Sequence, residues 1–449
     1  MPLVSTIKKL KLSLSLLLLL GSFFASAQEN SPFSRFGLGN ALPNRNIVNT
    51  AMGGTSVSYS DLQSINFSNP ASYSELKRYV VYDIGVSLTN RTLKSINPAG
   101  KYSSVDLLPS YVTLGMPLNK KRNMGLVFGL RPLSRISYLT QEAKRIKNNS
   151  SGLSDSVLYS YEGSGGLYQA FAGVGKSWGG FSLGVNAGYS FGRRENITST
   201  FIVDSVQSTN SNSSILTSYG NLFISGGMQY KANLSKRTVL RLGVAGNMKQ
   251  KLNAKQDILR ETYAFQANGS TLSIDTVSLI SAKAGTIELP VSYTAGFSIN
   301  NVILDRLGNK FDKGSISFEY ESSQWSNFRF YNQPENLVNS WQFKVGGQLV
   351  PDPLSIKSYW NHVAFRGGFY FGKDAVAING KSLSVSGVSV GAGFPVRKWR
   401  SYDNQFTNIN TSIEYGKRGN KDNNIFENFF RFSVGLSLSD VWFIKRQYD

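Results

Sequence analysis

From Val80 to Leu438 apolar and polar residues alternate along the chain with a period of two. Phe181, Leu183, Val185, Ala187, Tyr189 and Phe191 are separated by Ser182, Gly184, Asn186, Gly188 and Ser190. The same pattern runs through Ile287, Leu289, Val291, Tyr293, Ala295, Phe297 and Ile299, and through Phe430, Phe432, Val434, Leu436 and Leu438. Successive side chains of a strand point to opposite faces, so each run carries one large apolar row and one row of Ser, Gly, Asn or charge. Arg241, Lys344, Arg366 and Arg431 fall on the polar parity. An apolar exterior around a polar interior is the arrangement of a transmembrane β-barrel. In one run the phase slips, with Leu383 and Val385 on one parity and Val388, Val390, Ala392 and Phe394 on the other. Gly387 at the slip predicts a bulge.

The expected fold is therefore all-β, a transmembrane antiparallel barrel of about 14 strands. They lie near 80–88, 106–116, 124–133, 167–178, 181–192, 219–233, 238–250, 286–299, 314–324, 340–350, 360–372, 382–394, 407–417 and 428–438. Tight turns at Asn119–Asn123, Gly179-Gly180 and Ser235–Thr238 interleave with longer polar loops at 134–166, 193–218 and 251–285. Short turns belong on the periplasmic side and long loops outside, with both termini periplasmic. The segments 300–313 and 395–406 are longer than ordinary periplasmic turns. Trp178, Trp325, Trp341, Trp360 and Trp399 fall near expected strand ends, where an aromatic girdle sits.

Composition narrows the chemistry. The 449 residues include no cysteine and one histidine, His362, which excludes disulfides, thiolate chemistry, a lipid-anchored cysteine and a multi-histidine metal site. No cofactor is implied. A slightly negative mean hydropathy fits a barrel, because only alternate residues face lipid. The formal charge is +21. Its carriers fall mostly in turns and loops, such as Lys120-Lys121-Arg122, Lys236-Arg237 and Arg397-Lys398-Trp399-Arg400, rather than on one face with interleaved aromatics. That favours membrane lipid and anionic outer-leaflet glycolipid as neighbours over nucleic acid.

Residues 1–27 form a signal peptide, with Lys8, Lys9 and Lys11 ahead of an apolar run from Leu12 to Phe24 and a small-x-small site at Ala25-Ser26-Ala27. The run is shorter than the roughly 20 residues a spanning helix needs. The expected location is a Gram-negative-type outer membrane, with the barrel in residues 78–449 and a separate segment in residues 28–77.

That segment contains Met52-Gly-Gly-Thr-Ser-Val-Ser-Tyr-Ser-Asp61 and Ile65-Asn-Phe-Ser-Asn-Pro-Ala-Ser-Tyr73. Rich in Gly, Ser and Asn, it buries too little apolar surface by itself to offset its ordering entropy. Two readings are open: a plug enclosed by the strands, or a disordered periplasmic arm. The order Gly53-Gly54, Asp61, Asn69-Pro70-Ala71 resembles the N-terminal hatch of the FadL (FadL/TodX-type) family of outer-membrane transporters. The resemblance is at the level of motif over about residues 30–90 and of architecture beyond.

It implies a hatch inside the lumen and a barrel that takes up hydrophobic compounds such as long-chain fatty acids. In that family a kink in the third strand opens the wall sideways. Pro132 lies in the third strand here, and it reads either as that kink or as the strand's end at the outer rim. Arg241, Lys344 and Arg366 are chemically suited to contact a ligand carboxylate in the lumen. The alternatives are a FadL-like barrel serving as a subunit or cargo carrier of an outer-membrane secretion or assembly complex, and a passive porin, against which the hatch argues.

An enzyme is not expected. His362 faces the lumen by parity with Ala364, Arg366, Gly368 and Tyr370, whereas the adjacent Asn361 points to the opposite face, so the two do not form part of a hydrolase triad. Glu288, Glu319 and Glu414 read as lumen carboxylates paired with Arg or Lys. Gly367-Gly368 precedes no helix and so is no phosphate loop.

Overall fold

The structure is a computed structural model. It describes residues 30–77, 79–119, 122–147, 154–203, 209–266, 270–304, 310–355, 358–378, 380–396, 406–420 and 423–440. Residues 1–27, read above as a signal peptide, together with Arg397-Lys398-Trp399-Arg400 and the tail from 441, lie outside the described residues.

After a two-residue strand β1 (Asn40–Ala41) come β2 (Val80–Ser95), β3 (Gly100–Asn119), β4 (Met124–Lys147), β5 (Ser154–Trp178), β6 (Phe181–Ile202), β7 (Asn210–Asn233) and β8 (Thr238–Asn247). A hairpin of β9 (Gln250–Phe265) and β10 (Thr271–Leu289) precedes β11 (Ser292–Leu304) and β12 (Lys310–Ser323). Two short strands, β13 (Arg329–Phe330) and β14 (Gln333–Pro334), lead to β15 (Ser340–Leu349), β16 (Ala364–Ile378), β17 (Lys381–Val396), β18 (Thr407–Arg418) and β19 (Ile425–Asp440). Setting aside β1, β9, β10, β13 and β14, each strand pairs antiparallel with the next. β19 returns to β2, from Ile425↔Ser95 to Asp440↔Val80. The result is a closed barrel of 14 strands, and each expected strand finds its counterpart. Closure satisfies the backbone groups within the wall, as hydrocarbon requires.

In most strands side chains follow the expected parity. Phe181, Leu183, Val185, Tyr189 and Phe191 face outward, while Asn186 and Ser190 are buried inward. Phe430, Phe432, Val434 and Leu436 likewise face out, with Arg431, Ser433 and Ser437 within.

The ends of the strands differ from expectation. The three regions read as loops are largely strand: β4, β5, β6 and β7 reach 22 to 25 residues each, about twice what crosses a bilayer. Above the membrane β7 leaves β8 and pairs with β9 through Asn210–Gly220. The strands β4-β5-β6-β7-β9-β10 therefore continue outward as one sheet. Ser, Thr and Asn on both parities removed the hydrophobic contrast that marks a strand in lipid, so these extensions read as loops.

The run at 286–299 is broken at Pro290, which has no N–H for the ladder, and the expected single outer row is corrected there: Ile287 and Leu289 of β10 are buried inward, Val291 lies between the strands, and Tyr293, Phe297 and Ile299 of β11 face out. Much of 300–313 also belongs to β11 and β12.

Two further expectations are corrected. β16 and β17 pair without interruption from Gly372↔Val385 to Ala364↔Gly393, and the irregularity lies between Lys373 and Ala377 instead of at Gly387. Leu383 simply faces inward, fully buried with Phe33, Leu38, Leu252, Ile287, Phe328 and Val376. The lumen is apolar at that level, so an apolar residue on the inner parity mimicked a phase slip. His362 is also not on a lumen-facing strand. It sits in a 3-10 turn, Tyr359–His362, with Nε2 at 2.6 Å from the Ser355 carbonyl.

Replacing lipid-facing Val185 by Arg should cost about 2–4 kcal/mol if the site lies near the midplane, measured by denaturant unfolding in bilayers. Cysteine labelling on intact cells should reach Ser273→Cys, near the outer end of β10. Lys236→Cys, in the short β7–β8 turn, should label only after the outer membrane is breached.

Candidate functional site: a filled lumen and a gap in its wall

Residues 30–77 occupy the barrel interior, and they enter it from the outer end. Asn30 donates to the Leu139 carbonyl (2.8 Å) high on β4, and Ser31 N donates to Ser137 O (3.0 Å). β1 pairs with Arg135 and Ser134 of β4, and Leu42 N donates to Leu133 O at 2.9 Å. The chain then descends to Val80, where the wall begins. The expectation of a periplasmic N-terminal side is thus corrected, because the free edge of β4 offers the backbone partners that draw the segment upward.

Below this strap a short helix, α1 (Ile47–Ala51), is capped by Asn46, whose Oδ1 accepts from Asn49 N at 2.9 Å. Gly53 and Gly54 follow with φ of +64° and +86°, the left-handed region that glycine enters without steric cost. Gly53 N donates to Ser389 Oγ (2.8 Å), and a Cβ on Gly53 would stand 2.7 Å from Phe369 N. Ser56 N and Val57 N both donate to Glu319 Oε2, at 2.6 and 2.7 Å. Lys344 Nζ is 3.0 Å from Glu319 Oε1 and also bonds Glu321. Asp61 closes a local turn by accepting from Tyr59 OH, Gln63 N and Ser64 Oγ.

Asn69 is fully buried. Its Oδ1 accepts from Ala71 N (3.1 Å), and its Nδ2 donates to Val57 O (2.7 Å) and Met228 O (3.2 Å). Pro70 opens the 3-10 turn Pro70–Glu75, where its missing N–H costs nothing. Tyr73 OH donates to Asn186 Oδ1 at 3.0 Å, and burial pushes that phenol's pKa up. Burial also pushes the Glu75 carboxyl up, but Arg241, Lys77 and Lys231 outweigh it and hold the group below the usual carboxylate range.

The wall meets this backbone with glycines. A Cβ at Gly125 would lie 2.0 Å from Tyr73 O, at Gly184 2.2 Å from Pro70 C, at Gly227 2.0 Å from Asn69 Oδ1, at Gly243 2.2 Å from Val57 O and at Gly346 2.0 Å from Met52 O. The segment approaches the strands so closely that no side chain fits between. Sequence reasoning placed such glycines on the polar row of the strands but assigned them no contact. Their signal was their inward parity within the runs.

The three lumen cations do not converge. Lys344 is held by Glu319 and Glu321, and Arg241 lies 4.0 Å from Glu75. Arg366 donates to Gln348 (2.7 Å) and Asn410 (3.0 Å). Sequence reasoning missed Asp83, which accepts from Ile65 N, Tyr111 OH and Ser437 Oγ. It also missed Arg131, whose guanidinium carbon lies 5.2 and 4.9 Å from the ring centres of Phe67 and Phe171.

Pro132 stands in the middle of β4, so the strand does not end there at the rim. The β3–β4 ladder stops just short of it, at Val112↔Leu130. Above that pair β3 bonds only to β2, and β4 bonds to β5 and the strap. β3 carries its own proline, Pro109, beside a register shift against β2. The gap is bridged by an ion pair of Arg135 and Asp106 at 3.1 Å. Below it, a depression of about 570 Å³ opens on the lipid side, lined by Ile84, Val112, Phe128, Leu130, Ala170 and Phe171 among others.

The family model described as BamG matches residues 6–449. A Pseudomonas aeruginosa FadL homologue has a similar structure, with 12% identity, 89% of this chain and 99% of that chain covered, and a TM-score of 0.54. The P. putida toluene transporter TodX is 13% identical over 90% of this chain and 100% of that one, with a TM-score of 0.52. The CymD monoaromatic hydrocarbon channel is 14% identical over 88% and 98%, with a TM-score of 0.52. These likenesses are likenesses of fold. No curated protein matches the chain.

Gly227→Leu should collide with Asn69 and cost about 1–3 kcal/mol, while raising amide exchange in residues 66–73. The adjacent Gly226→Leu points to lipid and should leave both stability and exchange nearly unchanged.

Proposed function

The chain belongs to the BamG family, and from that premise we propose that its barrel is an outer-membrane transporter for hydrophobic compounds. In this reading residues 28–77 are the hatch, with Gly53, Gly54, Asp61 and Asn69-Pro70-Ala71 as its shaping residues. The observation that carries it is the break in the β3–β4 ladder directly above an apolar depression on the lipid side. A molecule arriving from outside meets a filled lumen, so its route is sideways, between Pro109 and Pro132, into the bilayer. Pro132 then marks the kinked wall. Long-chain fatty acids and small aromatic hydrocarbons are the ligand classes to try. For a carboxylate ligand, Arg241, Lys344 and Arg366 act only after the hatch shifts, because each is engaged by protein groups in this state. Basic rim residues beside anionic glycolipid would hold the barrel in the outer leaflet.

A second reading, a subunit of an outer-membrane complex, has an observation of its own besides the family's name. The outer sheet ends on β10, where Leu272, Ile274, Val277 and Leu279 are 53 to 68% exposed. Apolar surface of that kind marks protein contact sites.

Purified protein should bind a fluorescent fatty-acyl probe or toluene and, in liposomes, carry it across. Planar-bilayer recordings should show the intact barrel closed and a deletion of residues 31–76 conducting. Absence of both binding and conductance, together with extraction in mild detergent as a stoichiometric complex, would move the second reading ahead.

A further inference from the structure

We propose that the outer face of β6, β7, β9 and β10, where these strands leave the bilayer, binds a glycolipid carrying two phosphates. Its phosphate-holding residues are Arg193, Lys249, Lys251, Lys255 and Arg329. The inference rests on the outer-membrane placement that the transport reading includes, and not on transport itself.

The register of the ladders places these residues on one face. Phe191, Gly220 and Asn253 are successive partners across β6, β7 and β9, and Phe191 belongs to the lipid-facing parity of β6. One row higher, two residues along each strand, Arg193, Ser218 and Lys255 are partners in the same order and so share that outward face. One row lower, Lys251 stands opposite Glu288 of β10, which in turn stands opposite Arg329 of β13. Lys249 Nζ and Lys251 Nζ lie 2.7 and 3.3 Å from the two Glu288 oxygens, with side chains 50 and 63% exposed. These rows and the turn at Lys249 therefore carry five cations and a single carboxylate. Acids return one row above Arg193 and Lys255, at Glu195 and Asp257 on either side of Leu216. The positive charge forms a band of limited height.

That height and the surface beneath it fix the kind of partner. Directly below the band the outward surface is apolar, with Leu222 71% and Met248 76% exposed and Ile224, Leu242 and Val244 under them. Acyl chains cover such a surface, and the cations begin at the level where head groups sit. Neighbouring strands stand about 4.8 Å apart, so Arg193 and Lys255 are separated by about 10 Å across Ser218. Four residues of strand put Lys251 about 13 Å below Lys255. One phosphate cannot reach across that spread. Two phosphates held apart by sugar can, and Ser218, Asn253 and Thr286 lie between the cations to meet sugar hydroxyls. The Arg193 and Lys255 side chains make no hydrogen bond or ion pair among the described residues, so both are open to an anion. Arginine adds a bidentate fit to phosphate oxygens.

The purified protein is placed in phosphatidylethanolamine nanodiscs carrying equal small fractions of phosphatidylglycerol and bis-phosphorylated lipid A. Native mass spectrometry then counts the lipid that stays bound once the disc is stripped away. Lipid A should be retained in preference to phosphatidylglycerol. Arg193→Gln with Lys251→Gln and Lys255→Gln should lower its retention about tenfold or more. Lys251→Arg with Lys255→Arg keeps the charge and should keep the lipid. Lys94→Gln with Lys101→Gln, which removes a cross-strand lysine pair of the β2–β3 hairpin, should change nothing. Retention undiminished in the triple Gln variant would overturn the site, as would an equal loss in the Lys94 and Lys101 variant. Phosphatidylglycerol or monophosphorylated lipid A held as firmly as the bis-phosphorylated form would overturn the two-phosphate assignment. Loss of a stoichiometric protein, instead of lipid, from the triple variant would give the patch to a protein partner and overturn the lipid. Binding of the fatty-acyl probe to the same samples separates the two claims. Lipid A held through the patch by a barrel that never binds the probe leaves the site standing and removes the transport reading. Normal probe binding beside retention that ignores the Gln substitutions removes the lipid site alone.

Discussion

Every N–H and C=O within a bilayer must find its partner in the protein, and the rest of this structure depends on that constraint. The wall meets it by closing β19 onto β2. Inside, the same demand applies to a segment with little regular secondary structure. Residues 30–77 meet it with side chains that serve as local backbone partners. Asn46 caps a helix, Asn66 binds two carbonyls at once, and Asn69 binds its own turn and the wall. Glu319 accepts two backbone N–H groups while Lys344 neutralises it. Such charge-assisted bonds are stronger than neutral ones, and in a site this dry they are also costly to break.

Close packing follows from that bonding. At the points of closest approach between the enclosed segment's backbone and the strands a Cβ would collide, and glycine occupies the inner parity there. A glycine in a strand weakens it. Here the barrel's closure and the enclosed segment offset that weakness, so wall and filling specify each other. A barrel without residues 30–77 would lose their apolar side chains, such as Phe33, Leu38, Ile47, Ile65, Phe67 and Tyr73, from its two inner clusters.

The wall itself is discontinuous at one place in the membrane-spanning ladder. Between the outer halves of β3 and β4 the ladder is replaced by prolines, a strap and one ion pair. Elsewhere around the barrel, opening would break a run of backbone bonds in hydrocarbon. At this gap it would break far fewer.

The sequence by itself determined the barrel, the location of its fourteen strands and, through most of them, the inner and outer parities. Each of these is written in local chemistry, through a period of two or the turn residues. It did not determine where strands end above the membrane, because water on both faces erases the alternation. Leu383 was misread for a related reason, since parity distinguishes two faces but does not say whether the inner one is wet. Pro132 was visible and ambiguous, and its meaning depends on β3 ending its ladder at Val112. Asp106 and Arg135 stand 29 residues apart in sequence, and Glu319 stands 263 from Ser56. Such partners share no local pattern. Only the tertiary structure, which sets the register of neighbouring strands and the depth at which the hatch sits, brings them within bonding distance.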